Sequence, residues 1–238
     1  MKYFDHFAKS KSTRIGQILH LKTTANTFKI INKFISNVDI NILEIGPGKG
    51  DLATSFLKNN FLNYDVVEPN DRMRKSIEKQ GVRNAKDYMI PYIDEADSSY
   101  DVIIISDVFE HLNGTNDAKI FISETERVLK NMGYIFIISP DFFDWGLDFW
   151  NCDFSHSNPT SIRRVIQLFY NNNIKSIYCN YMYSCFTGFL GKAINSFIKL
   201  ATFYCKGNSI DSKFYKLRLT FLRRFIIVGQ KTDFKSKN

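Results

Sequence analysis

Cysteine is scarce. The 238 residues hold four, Cys152, Cys179, Cys185 and Cys205, with no CxxC pair and no Cys/His cluster. That argues against a structural zinc and against a disulfide framework, and makes a reducing cytoplasm the expected setting. Proline is nearly as sparse, at five, and no low-complexity linker or internal repeat divides the chain. A single domain of this length has enough residues for a substantial core. No run of about 18 uncharged apolar residues exists, which argues against a transmembrane helix. The opening MKYFDHFAKSKSTR is charged and polar, without the apolar centre of a signal peptide.

What is abundant is aromatic and basic: 22 Phe, 12 Tyr, and 32 Lys and Arg against 24 acids, a formal charge of +8. A basic excess can mark nucleic acid or anionic membrane. Here the Lys, Asn, Ile and Phe enrichment runs through the whole chain, as in an AT-rich coding bias, rather than forming a local patch.

From residue 40 onward, β-rich runs alternate with helical patterns. Strands are expected at 41–45, 64–68, 100–106, 134–139, 174–181 and 225–231, with a weak one at 82–86. Helices are expected in DLATSFLKNN, DRMRKSIEKQ, AKIFISETERVLKN and PTSIRRVIQLFYNN. Pro159 would open the last helix and Gly133 would cap the third in the left-handed region. The alternation predicts an α/β doubly wound parallel sheet of seven strands with helices on both faces. Residues 1–36 form an N-terminal helical cap in this reading, 40–181 and 222–231 the core, and 182–221 an insertion. The cap and the insertion are where substrate specificity would be added.

ILEIGPGKGD (42–51) places Gly46, Gly48 and Gly50 directly after the first strand. A dinucleotide loop needs G-x-G-x-x-G, and this spacing is one residue short. Glu44 and Asp51 flank the turn, and two carboxylates would repel a pyrophosphate. They suit a ligand that is cationic near the turn and has no phosphate, as S-adenosylmethionine is. Glu68 closes the second strand, 18 residues after Gly50, where a carboxylate offers two acceptor oxygens to a ribose diol.

With these residues the sequence resembles the class I S-adenosylmethionine-dependent methyltransferases, which implies a mostly parallel seven-stranded Rossmann-like sheet with its last strand antiparallel. The resemblance runs through ILEIGPGKGDLA (42–53), VVEPNDRM (66–73), AKDYMIPYIDEADSSYDVIIISDVFEHL (85–112) and ERVLKNMGYIFIISPD (126–141). HSNPTSIRRVIQLF (156–169) continues it more loosely. It implies that Glu44 and the backbone at Gly46 and Gly48 hold the methionine end, with Gly50 completing the turn. It implies that Glu68 takes the ribose, that Asp87 reaches the adenine amino group beside Tyr88, and that Ser106 and Asp107 flank the sulfonium and the acceptor.

DNA amino-methyltransferases carry an Asn- or Asp-Pro-Pro-aromatic motif after the fourth strand. This chain has SDVFEHL there, and its MIPY (89–92) lies before that strand, so nucleic acid is not the expected acceptor. A hydroxyl acceptor must lose a proton, so O-methylation gains from a base. His156 is the first candidate base, against a plain surface histidine; His111 is the second and Asp141 the third. Asp107, Glu110 and His111 could alternatively ligate a divalent metal, as this block does in some quinone-type members, or Glu110 and His111 could simply cap a helix. A scaffold that binds the cofactor without turnover is a further alternative, and a nicotinamide oxidoreductase the third hypothesis.

In FTGFLGKAINSFIKLATFY (186–204) apolar residues recur at helical spacing, with Lys192, Asn195 and Lys199 opposite and more basic residues downstream. Two readings stand: a lid or subunit contact, or an interfacial membrane helix. The expectation is a cytoplasmic enzyme acting on a small molecule, sugar or lipid-linked glycan, with membrane contact through 186–204 as the alternative.

Overall fold

The computed structural model describes residues 14–202 and 213–232. The first 13 residues of the expected N-terminal cap, and residues 203–212 of the insertion, lie outside that range. Among the described residues, eight strands form one sheet: β1 (Ile42–Ile45), β2 (Tyr64–Val67), β3 (Asn84–Lys86), β4 (Tyr100–Ser106), β5 (Leu129–Pro140), β6 (Ile174–Tyr183), β7 (Phe186–Thr187) and β8 (Arg224–Lys231). Their order is β3-β2-β1-β4-β5-β8-β6-β7. The strands β1 to β5 pair in parallel, and β8 runs antiparallel between β5 and β6. The extra strand over the expected seven is the two-residue β7, which turns back on β6 at the sheet edge.

Burial on both faces explains why the central strands are uninterrupted apolar runs. Ile42, Val102, Ile104, Phe136 and Val228 point to one core, where Ile31 of α1 (Arg14–Asn32), Ala53 and Phe56 of α2 (Asp51–Leu57), and Ile77 of α3 (Asp71–Glu78) cover them. Leu43, Ile103, Ile105, Ile137 and Ile227 point to the other, under α4 (Gly114–Val128) and α7 (Ile162–Tyr170). Between β5 and α7 lie the short α5 (Phe142–Trp145) and α6 (Asp148–Cys152). Two further helices, α8 (Gly188–Ala201) and α9 (Lys213–Phe221), separate the last two long strands.

Two local expectations are corrected. The left-handed residue after α4 is Met132, at φ 64°, rather than Gly133. Gly133 is there for space, because a Cβ on it would stand 2.8 Å from the Lys130 carbonyl oxygen. Helix α7 starts at Ile162 with Ser161 as N-cap, so Pro159 precedes the helix instead of opening it.

Candidate active site

Strand order reverses between β1 and β4, the place where an open α/β sheet leaves a crevice at its carboxyl ends. A cleft of about 1080 Å³ opens there. The β1–α2 turn forms its floor. Gly46 has φ 70°, and a Cβ on it would come within 2.3 Å of Val108, so only glycine fits. At Gly48, also left-handed, nothing lies within 4 Å of where a Cβ would be, so the turn is open to the cleft at this residue.

Glu68 lines this cleft although it is buried. Its Oε1 accepts the Asn70 backbone N–H at 2.9 Å, and Gly48 supplies a second backbone hydrogen bond, so it ties the tip of β2 to the glycine turn. Desolvation raises its pKa, and these hydrogen bonds oppose the rise. A carboxylate accepts about four hydrogen bonds, so capacity remains for a ligand.

Glu44 is placed differently. It sits on the α2 side of the sheet, buried, and accepts the Tyr64 hydroxyl at 2.8 Å. It does not line the cleft. Burial pushes its pKa up to about 7, the Tyr64 hydrogen bond lowers it, and the nearby Asp51 charge adds to the rise. Asp51 accepts His20 Nε2 at 2.9 Å, which holds its own pKa down. Asp87 stands exposed with Arg74 at 3.8 Å, while its neighbour Tyr88 reaches the cleft and donates to Glu95 at 3.2 Å. Gly50 and Ser106 stand behind the lining; the Ser106 hydroxyl donates to Asp107 at 3.3 Å. Asp107, at φ 53°, lines the cleft and is ion-paired with Arg224.

Another wall of the cleft is built by stitching one loop to a 3-10 turn (Phe109–His111). The Glu110 carbonyl accepts the N–H groups of Ser157 and Asn158, and the Asn158 side chain donates to the Phe109 carbonyl at 3.0 Å. His111 and His156 are thereby brought to 4.8 Å between ring centroids. His156 Nδ1 lies 2.6 Å from the Phe149 carbonyl and so must donate to it. The Ser155 hydroxyl donates to Asp153 at 2.6 Å and lies 2.9 Å from His111 Nδ1, so that nitrogen donates too. In both rings Nε2 is left carrying the lone pair. Burial, then the neighbouring His156, lower the pKa of His111.

Glu110 is buried beside them and bonded to Ser139 at 3.0 Å; burial and then the Asp107 charge push its pKa well up. One donor atom from each of Glu110, His111 and His156 lies within 4.8 Å of the others. The alternative metal set offered by the sequence is arranged differently at one position: Asp107 is ion-paired with Arg224, and His156 stands with Glu110 and His111. Asp141 is buried against Arg223, whose guanidinium stands 4.2 Å over the Tyr181 ring, and it does not line the cleft.

A family model described as a methyltransferase domain matches residues 20–177. The chain belongs to the methyltransferase family. No curated protein matches it in sequence. Among solved structures, it is similar to a SAM-dependent methyltransferase from Archaeoglobus fulgidus, at TM-score 0.62 and 18% identity, over 87% of this chain and 92% of that one. It is also similar to geranyl diphosphate C-methyltransferase from Streptomyces coelicolor, solved with Mg2+, geranyl diphosphate and S-adenosylhomocysteine. There the TM-score is 0.61 at 11% identity, over 87% and 77% of the two chains. A SAM-dependent methyltransferase from Aquifex aeolicus gives TM-score 0.54 at 15% identity, over 86% and 88%. At these identities the structures share the fold.

The cofactor of this methyltransferase is S-adenosylmethionine. The open turn at Gly48 and the spare acceptor capacity of Glu68 fit a ligand with a ribose and no phosphate. Sequence reading missed His20, Trp145 and Arg224, all on the cleft wall. Arg224 directly precedes the FIIVGQK strand pattern, and that position was the one available signal.

Proposed function

We propose that this methyltransferase methylates a hydroxyl oxygen of a small molecule, a sugar or a lipid-linked glycan. The observation that carries the reading is the pair of imidazoles on the cleft wall whose Nδ1 hydrogens are both already committed. Each ring presents Nε2 as an acceptor, which is what removal of a hydroxyl proton requires. The cofactor supplies an electrophilic methyl group. Glu68 and the Gly46–Gly48 backbone hold it, Tyr88 walls the cleft, and His156, with His111 beside it, takes the acceptor proton. Alignment of acceptor and donor in a walled cleft provides much of the remaining rate. The test supplies methyl-labelled cofactor with matched hydroxyl, amine and carbon acceptors and locates the label by NMR. Label on oxygen supports the reading, and label confined to nitrogen or carbon overturns it.

A second reading is favoured by the approach of Glu110, His111 and His156. A divalent cation held by these three would bind the acceptor oxygen and lower its pKa. Its imidazole ligands would be oriented by Phe149 and Ser155, as metal-bound histidines commonly are. Turnover abolished by a chelator and restored by one of Mg2+, Mn2+ or Zn2+ supports this reading. Turnover indifferent to chelator leaves the imidazole base.

A further inference from the structure

Helix α8 packs with its polar side inward. Its buried positions are Gly191 and Asn195. Asn195 Nδ2 donates to the Phe221 carbonyl at 2.7 Å and to Asp144 Oδ2 at 3.1 Å, and Lys199 Nζ donates to Asp144 Oδ1 at 3.0 Å. Just past the helix, Thr202 Oγ1 lies 3.3 Å from Arg218 Nη1 of α9. The apolar side faces out: Phe189 is 88% exposed, Leu190 59%, Phe197 71% and Leu200 77%. Rolling the helix to hide them would take Asn195 and Lys199 from Asp144, whose side chain is 14% exposed, and leave it the Arg223 backbone N–H, a costly loss for a largely covered carboxylate. Around this stripe Phe143 and Leu147, which flank Asp144, are exposed, as is Phe214 of α9.

Single exposed apolar side chains are ordinary; a continuous stripe beside others is a contact surface. Charge identifies the contact. From Gly188 to Arg224 the sequence holds eight Lys and Arg and one acid, Asp211, of which Lys199, Arg218, Arg223 and Arg224 are each paired with an aspartate within the fold. Lys192 and Lys216 are exposed on the same two helices as the apolar residues. Trp145 of α5 and Leu219 of α9 line the cleft, so the elements that bear the apolar surface also bound the acceptor side.

We propose that the outward face of α8, with the adjoining surfaces of α5 and α9, docks on an anionic phospholipid bilayer. The aromatic and leucine side chains enter the interface and the lysines meet the headgroups. Docking would set the cleft mouth against lipid. The inference stands on the orientation of α8 and holds whichever atom is methylated.

Flotation of the full chain with phosphatidylglycerol-containing vesicles tests it. The expected result is recovery with vesicles at low salt, loss at high salt, and weaker recovery with neutral vesicles. The double substitution Phe189→Asp and Phe197→Asp should weaken recovery by more than about tenfold, because each removes a large inserted side chain. Lys192→Glu should weaken it less and reduce its salt dependence. Unchanged melting and unchanged S-adenosylhomocysteine binding in these variants would show that the fold is intact. No flotation at low salt overturns the proposal, as does flotation indifferent to Phe189→Asp and Phe197→Asp. A dimer broken by those substitutions, without vesicle binding, also overturns it and assigns the face to a second copy.

Discussion

Nδ1 of His156 lies 2.6 Å from the Phe149 carbonyl oxygen, and because a carbonyl only accepts, that contact fixes the tautomer of the ring. The proton sits on Nδ1 and the lone pair on Nε2, on a side chain that lines the cleft. His156→Ala should therefore lower kcat by roughly 10²–10⁴-fold, the usual worth of a positioned base. S-adenosylhomocysteine affinity, measured by calorimetry, should stay within about twofold. Equal losses in kcat and in cofactor affinity would mean that the ring only props up the site.

Glu68 predicts the opposite pattern. It holds Asn70 and Gly48 through its carboxylate and keeps acceptor capacity toward the cleft. A hydrogen bond to a charged group contributes roughly 1.5–3 kcal/mol, so Glu68→Ala should weaken S-adenosylhomocysteine binding by more than about tenfold. Glu68→Gln keeps one oxygen and should lose less. Unchanged affinity in the alanine variant would remove Glu68 from the cofactor site.

How legible these features were in the sequence depended on whether each was set locally. YDVIIIS announced β4 because a strand covered on both faces is apolar throughout, and the glycine turn announced itself through spacing alone. Glu44 misled because its position before the turn says nothing about Tyr64, which meets it from the neighbouring strand. The pairing of Asp107 with Arg224 spans 117 positions, and no pattern in SDVFEHL hints at it. The period of α8 was plain from its phenylalanines. Which side faced inward was decided by Asp144, 51 positions from Asn195, and a periodicity cannot carry that information.

The environment of His111 sets a pH limit. Its neutral form is favoured first by burial and then by His156, so its pKa lies below the ordinary histidine value of about 6.5. Protonating His111 would set a positive charge against the ring of His156, 4.8 Å away between centroids, so the contribution of His111 to turnover is lost as pH drops through that depressed value. A kcat profile should carry an acidic component below about pH 6.5 that disappears in His111→Gln. A profile unchanged in His111→Gln would remove His111 from the reaction.

Glu44 makes stability fall with rising pH. Its native pKa is about 7 against 4.5 for the free side chain, so between those values the native state binds the extra proton. Stability is then greatest below about pH 4.5 as far as this group is concerned, and declines as pH rises to 7. At about 1.4 kcal/mol per unit the full cost is roughly 3 kcal/mol. Glu44→Gln keeps an acceptor for Tyr64 and removes the charge. Thermal melts should show it more stable than the parent at about pH 8 and level with it near pH 4.5. A gain independent of pH would point to packing instead.

Arg218 anchors the outer helices. Its Nε donates to Asp148 of α6 at 2.8 Å, and its Nη1 lies 3.3 Å from both the Lys199 carbonyl and Thr202 Oγ1 at the end of α8. Both members of the Arg218–Asp148 pair are buried. Removing one partner of such a pair typically costs about 3–5 kcal/mol, because the other charge is left without compensation. For a chain of this size that corresponds to a Tm loss of more than roughly 6 °C in Arg218→Ala. Pairing Arg218→Met with Asp148→Leu removes both charges and should recover much of the loss, since apolar replacements often match a buried ion pair. If the double variant is no better than Arg218→Ala alone, the guanidinium acts through its bonds to α8 rather than through Asp148, and vesicle binding should then fall in both variants.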